Sequence, residues 1–252
     1  MVTVALIGAD GAGKTSVGRR LGDSGPGENR LGDESALPLK YLYMGINPEA
    51  SNHMLPTTRL ALRVKLWLGK ETHVGGPPDP ARREPPPRGV LKRALSGLKS
   101  SLRTANQLGE EWFRQFLAWY YQRRGYVVLF DRHFYSDYYA HDISEDLGEG
   151  VGEGAGGNSR RRSLSRRIHG FILKRFYPKP DLLILLDAPA DVLFARKREG
   201  TVELIENRRQ EYFQLREHVP HFVVVNADQP FDAVTQEVID VIREFQPEGE
   251  GK

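Results

Sequence analysis

Cysteine is absent from the 252 residues of this chain. This absence excludes disulfide bonds, thiolate metal sites and cysteine nucleophiles. Long apolar runs are missing as well, because no stretch approaches the ~20 residues that a helix needs to span a bilayer. The first eight residues contain a short apolar run and lack the basic start and the cleavage site of a secretory signal. We therefore expect a cytoplasmic protein without integral membrane contact.

The charge of the chain is nearly balanced, with 36 Lys and Arg residues against 33 Asp and Glu residues. A dedicated nucleic-acid binder carries a stronger basic excess, so no nucleic-acid partner is expected. The hydrophobic fraction of 39%, with 10% aromatic residues, supports a packed core. The length suits one large α/β domain. These properties fit an enzyme that acts on small anionic molecules.

Short apolar runs alternate with helical patterns along the chain. The runs predict strands buried on both faces at residues 2–7, 39–44, 126–130, 182–186 and 222–225. Helical periodicity predicts helices at residues 14–21, 54–68, 90–124, 190–198, 202–217 and 231–245. This alternation favours an α/β fold with a central parallel sheet of about five strands, flanked by helices. Ligands of such sheets bind beyond the carboxyl ends of the strands.

Two segments interrupt the alternation within a single predicted domain that spans residues 1–252. Segment 75–88 is too rich in proline for a helix or strand. Segment 145–162 begins acidic and glycine-rich and then turns basic. We expect both segments to be flexible insertions, and we expect the tail from about residue 247 to be disordered.

The strongest motif lies directly after the first predicted strand. Residues 8–15 satisfy the P-loop pattern G-x-x-x-x-G-K-[ST], and a helix is predicted to follow. The glycines let successive backbone N–H groups point at phosphates. Lys14 is predicted to neutralise the β- and γ-phosphates of ATP, and Thr15 to bind magnesium. The predicted nucleotide-binding residues of the loop are Gly8, Ala9, Asp10, Gly11, Ala12, Gly13, Lys14 and Thr15.

A P-loop does not by itself name a reaction, because GTPases, motor ATPases and metabolite kinases share it. A GTPase would need the guanine-reading tetrapeptide N-K-x-D, and the sequence contains none. Its D-x-x-G tetrapeptide lies at residues 10–13, inside the P-loop. The sequence therefore argues against a switch GTPase.

A second signal, Asp131-Arg132-His133, follows the predicted strand at 126–130. An acid at the end of a strand beside a P-loop is where a ligand of magnesium-bound water belongs, so Asp131 is a predicted metal residue. Arg132 is predicted to hold the phosphate of an acceptor. The alternative is an Asp–Arg surface pair that caps the next helix. His133 is predicted to be a structural hydrogen-bond donor rather than a general base, because phosphoryl transfer depends mainly on positioning and charge stabilisation.

Basic residues concentrate where the predicted helices at 190–198 and 202–217 meet. Arginines on a mobile segment can fold over phosphates and stabilise charge in the transition state. A run of charges on an amphipathic helix is, alternatively, only a solvated face. We expect at least one residue of this group to form a lid: Arg196, Lys197, Arg198, Arg208 and Arg209.

Four segments resemble the thymidylate-kinase family of P-loop nucleoside monophosphate kinases. Residues 10–15 are similar to its D-G-x-G-K-[ST] loop. Asp131-Arg132-His133, followed by Ser136 and Ala140, resembles its D-R-[YH]-x-x-S-x-x-A motif, with the alanine one position later in this chain. Residues 186–189 resemble its L-D-x-P segment, and residues 225–228 the segment that borders the adenine. The resemblance implies a three-layer fold, magnesium–ATP as donor, a homodimer, and transfer to a nucleoside monophosphate, with thymidylate as the leading candidate.

The resemblance also implies roles for individual residues. Part of the family carries an arginine within the P-loop, where this chain has Gly11. That role passes to a lid arginine, and Arg196 and Arg198 are the nearest candidates. The implied catalytic residues are Asp10, Lys14, Arg132, Arg196 and Arg198, and the implied adenine-side residues are Asn226 and Ala227.

The acceptor half departs from the family pattern. An R-E-P-G-G-T-like loop is expected after the second strand, but residues 44–49 read Met-Gly-Ile-Asn-Pro-Glu. Arg59 either replaces the missing loop arginine or merely begins a basic helix. The family also places an arginine on the helix before D-R, but the matching residues here are Glu110, Glu111 and Trp112, with Arg114 one turn later and Arg103 further off. A nucleoside or a sugar is therefore the alternative acceptor, and a non-catalytic nucleotide-binding module is a third interpretation.

Two further features have structural interpretations. Asp187 is predicted to end a strand and to prepare the turn before Pro189. Aromatic residues recur at helical spacing in the third predicted helix and are expected to pack against the sheet rather than stack on a base. They are Trp112, Phe113, Phe116, Trp119 and Tyr120.

Overall fold

The computed structural model describes residues 2–22, 38–44, 53–67, 90–133, 171–172 and 175–245. The predicted insertions at 75–88 and 145–162 and the predicted tail from 247 lie outside the described residues, as do residues 45–49. Within the described part the chain alternates strands and helices. The strands are β1 Thr3–Ile7, β2 Leu39–Tyr43, β3 Val127–Asp131, β4 Leu182–Asp187 and β5 Phe222–Asn226.

All five strands form one parallel sheet with the order β2-β3-β1-β4-β5. β1 lies at its centre, where Leu6 pairs with Asp131 of β3 and with Ile184 of β4. Every residue of β1 is buried, as expected for a strand covered on both faces. The predicted five-stranded parallel sheet is confirmed. Its carboxyl ends bring residues 8, 132 and 188 to one edge, because each directly follows one of the three central strands.

The helices begin and end within two residues of the predicted bounds where they are regular. Predicted helix 202–217 ends at Gln214 and continues as a short 3₁₀ turn, Leu215–Glu217. The helices are α1 Lys14–Gly22, α2 Pro56–Trp67, α3 Val90–Arg123, α4 Ala190–Lys197, α5 Val202–Gln214 and α6 Phe231–Glu244.

Helices cover both faces of the sheet. Val4 and Leu6 of β1 belong to one buried cluster, which includes residues of α1, α4, α5 and α6. Ala5 and Ile7 belong to a second cluster, with Ala118 of α3. This alternation follows from the two-residue period of a strand, which turns successive side chains to opposite faces. The arrangement is compatible with three layers.

The expectation that the aromatic residues of α3 pack on the sheet is wrong for most of them. Trp112, Phe116 and Trp119 are 41%, 56% and 47% exposed. The face that meets the core instead carries Ala118 and Tyr121. Helical periodicity defined an apolar stripe correctly but could not tell which side of a two-sided helix meets the sheet.

No helix in the described ranges is long and apolar enough to cross a membrane.

Candidate functional site

The loop between β1 and α1, residues 8–13, is called the glycine loop below. Two of its glycines lie where no other residue fits. Gly8 has a φ of 148°, and a Cβ there would lie 2.4 Å from the carbonyl oxygen of Leu186 in β4. Gly11 has a φ of 91°, and a Cβ there would lie 2.5 Å from the carbonyl oxygen of Leu193 in α4. This close approach leaves no room for a longer side chain at Gly11.

Lys14 begins α1 and is buried under the glycine loop. Its Nζ atom donates hydrogen bonds to the carbonyl oxygens of Gly8 at 2.7 Å and Ala9 at 2.8 Å. The N–H of Ala12 closes the turn onto the carbonyl of Ala9 at 3.2 Å. The ammonium group is therefore held inside the curve of the loop. Thr15 follows in the first turn of α1 and is half-buried.

Asp10, in the same loop, gathers basic side chains from three separate parts of the chain. Arg208 Nη1 of α5 lies 2.9 Å from its Oδ2 atom. Lys197 Nζ at the end of α4 and Arg132 Nη2 after β3 each lie 3.4 Å from its Oδ1 atom. We call Lys14, Arg132, Lys197 and Arg208 the cation cluster. Burial acts to raise the pKa of Asp10, but the cation cluster outweighs it and lowers that pKa.

Arg132 has an unusual backbone as well as a site position. Its φ is 66°, in the left-handed region that residues other than glycine rarely adopt. Its N–H donates to the carbonyl of Leu6 in β1 at 3.1 Å, which ties the turn after β3 to the central strand. A conformation of this kind costs about 1–3 kcal/mol and is typical of functional sites. It directs the guanidinium toward Asp10.

Asp131 ends β3 and is completely buried. Its Oδ2 atom accepts a hydrogen bond of 2.7 Å from the hydroxyl of Tyr41. Its Oδ1 atom has no hydrogen-bond partner within the described residues. A buried carboxylate oxygen with no partner is costly unless a ligand or water completes it. The Oδ1 atom is therefore free of protein hydrogen bonds within the described residues, as a carboxylate oxygen that accepts from a magnesium-bound water must be.

A dedicated cage of protein ligands is not formed in the described part of the chain, since no three His, Asp or Glu residues there come together as a metal site. Magnesium does not require one. It keeps several waters and is commonly held by one or two carboxylates together with substrate phosphates. A hydroxyl at Thr15 and a carboxylate at Asp131 fit that chemistry.

Asp187 does more than end β4. Its two carboxylate oxygens accept hydrogen bonds from Nε and Nη2 of Arg209 in α5, at 2.7 and 2.8 Å. Nη1 of Arg209 also binds Glu206, one turn earlier in α5. Hydrogen bonding to Asp187 raises the pKa of Arg209 despite partial burial. The sequence placed Arg209 only in a basic group and gave Asp187 no partner.

The two predicted lid arginines lie apart from Asp10. Arg196 Nη1 donates to the carbonyl of Ala227 at 2.9 Å, and its Nη2 lies 3.5 Å from Asp228. Arg198 directly follows α4 with a φ of 55°, and its N–H donates to the carbonyl of Phe194. Arg196 thus contacts the predicted adenine-side segment after β5. The structure brings Lys197 and Arg208 to Asp10 instead.

The segment after β5 holds the two predicted adenine-side residues. Ala227 is buried, and its N–H donates to the carbonyl of Asp187 at 2.7 Å. Asn226 is exposed, and its side-chain oxygen accepts from the N–H of Asp228 at 2.9 Å. Both residues therefore lie at the carboxyl end of β5, beside the end of β4.

Arg114 and Glu110 of α3 lie near the carboxyl end of β2 and are called the polar cluster below. Arg114 of α3 is only 2% exposed. Its guanidinium lies 3.6 Å from Glu110 and donates to the carbonyl of Tyr43 at 3.5 Å. Burial lowers the pKa of Arg114, and Glu110 opposes this effect. Arg59, by contrast, is exposed on α2, and the side chain of Arg103 lies outside the described part.

His133 follows β3 and Arg132, and its ring lies in an aromatic environment. Its ring contacts Phe130 at a centroid distance of 5.3 Å and Tyr177 at 5.6 Å. It is almost completely buried, and burial lowers its pKa to about 3. Its Nδ1 atom has no hydrogen-bond partner among the described residues, so the structure shows a neutral imidazole packed among rings and not the predicted hydrogen-bond donor.

No model of a known protein family matches the sequence. The resemblance to thymidylate kinases therefore stays a prediction, and the geometry of the site carries the functional argument.

Proposed function

We propose that this protein is a P-loop kinase that transfers the γ-phosphate of magnesium–ATP to a nucleoside monophosphate, with thymidylate as the first candidate. The observation that carries the proposal is the cation cluster, in which four cations act on one carboxylate beside the glycine loop. Such an excess of positive charge around one carboxylate favours a polyanionic ligand. It lies at the carboxyl ends of parallel strands, where ligands of these sheets bind.

The ATP-binding step uses the glycine loop. Lys14 donates to two loop carbonyls, and phosphate oxygens are stronger acceptors that would replace them. The N-terminus of α1 adds the positive end of its dipole. Thr15 and Asp131 would hold the magnesium ion, which supplies charge neutralisation of the phosphates when bound. Asn226 and Ala227 border the adenine in this proposal.

In the transfer step an acceptor oxygen bonds to the γ-phosphorus while the bond from that phosphorus to the β–γ bridging oxygen breaks, and ADP leaves. Charge spreads over the oxygens of the transferred group. Lys197 and Arg208 reach Asp10 from α4 and α5, so they are positioned to stabilise this charge. Asp10 keeps the cations together before the phosphates enter. Arg196 and Arg198 remain predicted lid residues with no contact to Asp10 among the described interactions.

The acceptor is held, we propose, between Arg132 and the polar cluster at β2. Arg132 lies between the end of β3 and Asp10, where it can grip an acceptor phosphate. Arg114 supplies the arginine that the resemblance requires on the helix before D-R. Its burial beside Glu110 fixes its guanidinium, which suits recognition of a planar base or a phosphate.

The homodimer implied by the resemblance is part of the same proposal. The exposed stripe formed by Trp112, Phe116 and Trp119 on α3 supports it, because exposed apolar patches often mark protein interfaces. Sedimentation equilibrium of the wild type and of Phe116→Lys tests this point. A monomer at all accessible concentrations of the wild type would contradict it.

The central experiment is an ADP-release assay with magnesium–ATP and each nucleoside monophosphate, then nucleosides and sugars. We expect the highest rate with a monophosphate. Lys14→Ala should abolish transfer and leave the fold intact. The matched control is Lys40→Ala, because Lys40 lies over the ring of Tyr126 at the start of β3, away from the loop. No ADP release with any acceptor would favour the non-catalytic module.

Separate titrations of ATP and acceptor test the role of Arg132. Arg132→Ala should raise the KM for the acceptor or lower kcat, with little effect on ATP binding. Loss of a charge-assisted contact is worth about 1.5–3 kcal/mol, or roughly one to two decades in kcat/KM. Arg132→Lys should recover only part of it. If Arg132→Ala weakens ATP binding and leaves the acceptor kinetics unchanged, the proposed acceptor becomes a nucleoside or a sugar instead of a nucleoside monophosphate.

A further inference from the structure

Tyr41 links the edge strand β2 to the carboxylate at the end of β3. Its backbone pairs with Leu129, two residues before Asp131. Its side chain runs along the sheet, so that its hydroxyl donates to Oδ2 of Asp131 at 2.7 Å. The acceptor is a fully buried carboxylate whose other oxygen, Oδ1, has no partner among the described residues. The phenol therefore occupies one oxygen and leaves the other available.

The ring of Tyr41 is fixed by two glycines one turn apart on α1. A Cβ at Gly18 would lie 2.6 Å from Cε2 of Tyr41, and a Cβ at Gly22 would lie 2.1 Å from its Cβ. The ring fills the space that side chains on this face of α1 would need. Because α1 also begins with Lys14 and Thr15, the same packing couples the orientation of Asp131 to the helix that follows the glycine loop.

The phenol acts as a donor in this arrangement. The hydroxyl hydrogen is directed at Oδ2 of Asp131, because a carboxylate oxygen can only accept. A hydroxyl held in this way orients the carboxylate that accepts its hydrogen bond.

We propose that Tyr41 is a positioning residue for magnesium: by holding Oδ2 of Asp131, it presents Oδ1 to the water shell of the nucleotide-bound ion. This inference rests on the proposed function, because that function places magnesium at Asp131. Nothing in the sequence pattern marks Tyr41, which looks like an ordinary aromatic residue of a buried strand.

The test measures metal-dependent binding without turnover. ADP is titrated into the full-length protein by calorimetry, once with excess Mn²⁺ and once with EDTA. Tyr41→Phe keeps the ring and removes the hydroxyl. We expect binding of Mn²⁺–ADP to weaken about tenfold, in the range found when outer partners of metal ligands are lost, while binding of metal-free ADP is unchanged. A purely structural role would weaken both equally.

Two further variants make the result decisive. Tyr126→Phe is the matched control, because Tyr126 makes ring contacts with Tyr121 and Lys40 instead of contacting Asp131; it should bind both forms of ADP as the wild type does. Asp131→Asn should weaken Mn²⁺–ADP binding more than Tyr41→Phe. If Asp131→Asn loses metal-dependent binding and Tyr41→Phe does not, the role of Tyr41 is refuted alone. If neither variant changes it, the metal site in the proposed function fails as well.

Discussion

The guanidinium of Arg209 grips the carboxylate of Asp187 through two parallel hydrogen bonds, at 2.7 and 2.8 Å. This pair joins the middle of α5 to the carboxyl end of β4. The preceding residue, Arg208, reaches Asp10 in the glycine loop. Arg209 therefore fixes α5 to the sheet, and the adjacent Arg208 extends into the site. The rotation of α5 about its axis decides whether Arg208 can reach the loop.

The Arg209–Asp187 pair should stabilise both the fold and the site. Hydrogen bonds to charged groups contribute about 1.5–3 kcal/mol, so Arg209→Ala should lower the free energy of unfolding by about that amount. Arg209→Lys should recover only part of it, because an ammonium cannot form the two-point contact. Urea unfolding of Arg209→Ala, Asp187→Ala and the double variant measures the coupling. Additive effects of the two single changes would show that the pair contributes nothing.

Arg208, rather than Arg196 or Arg198, should be the arginine on which transfer depends. Arg208→Ala should lower kcat/KM by about one to two decades, mainly through kcat, because the contact develops with charge in the transition state. Arg196→Ala and Arg198→Ala are matched controls from the same basic group, and both should lose less. Steady-state kinetics of the three variants at saturating ATP decides between them. If Arg198→Ala lowers kcat/KM the most, the prediction made from the sequence is supported instead.

The fold was largely predictable because buried strands and amphipathic helices leave strong local patterns. The predicted strand at 222–225 corresponds to β5, Phe222–Asn226, and other elements agree equally well. The order of the strands was not predictable from such patterns, because long-range pairing determines it. The exposed aromatic face of α3 was missed for a related reason: Trp119 and Tyr121 both belong to apolar stripes, and only the packed structure shows which stripe meets the sheet.

The site was predictable where it depends on the ends of strands. Residues 8–15 follow β1, and Asp131 ends the neighbouring strand β3, so the parallel sheet alone brings them together. Lys197, Arg208 and the partner of Asp187 depend instead on how two helices rotate and pack. Charge patterns identified the group but not the members that face Asp10. Tyr41 gave no signal, because its role arises from a side chain that reaches along the sheet.

Gly11 should be less tolerant of a side chain than a glycine with a similar backbone elsewhere. Gly125, in the turn before β3, has a φ of 84° and open space around it. Gly125→Ala therefore carries only the backbone penalty of about 1–2 kcal/mol. Gly11→Ala adds a contact of 2.5 Å with the carbonyl oxygen of Leu193, and overpacking of this kind costs about 1–3 kcal/mol more. Chemical denaturation measures both, and equal losses would show that α4 moves aside freely.

Nucleotide binding separates the same two variants. Gly11→Ala should weaken ADP binding, because α4 or the loop must shift to admit the methyl group. Gly125→Ala should leave the affinity unchanged, since its turn lies at the opposite end of β3 from Asp131. Calorimetric titration of ADP, at a temperature where both variants are folded, tests this contrast. Unchanged affinity in Gly11→Ala would mean that the glycine loop does not contact the nucleotide.

His133 should make the fold less stable in acid. Burial lowers its folded-state pKa to about 3, whereas an imidazole in the unfolded chain has a pKa of about 6.5. Between these values the unfolded state binds a proton that the folded state excludes. The stability contributed by the neutral ring is thus fully present above about pH 6.5 and falls by roughly 1.4 kcal/mol per pH unit as the pH drops toward 3.

His133→Phe keeps a ring beside Phe130 and Tyr177 and removes the titration. Urea unfolding at pH 8 measures the packing change alone, and the same experiment at pH 6, 5 and 4 should show the wild type losing more stability than the variant at each step. Parallel curves for the two proteins would mean that water or a proton reaches His133 in the folded state.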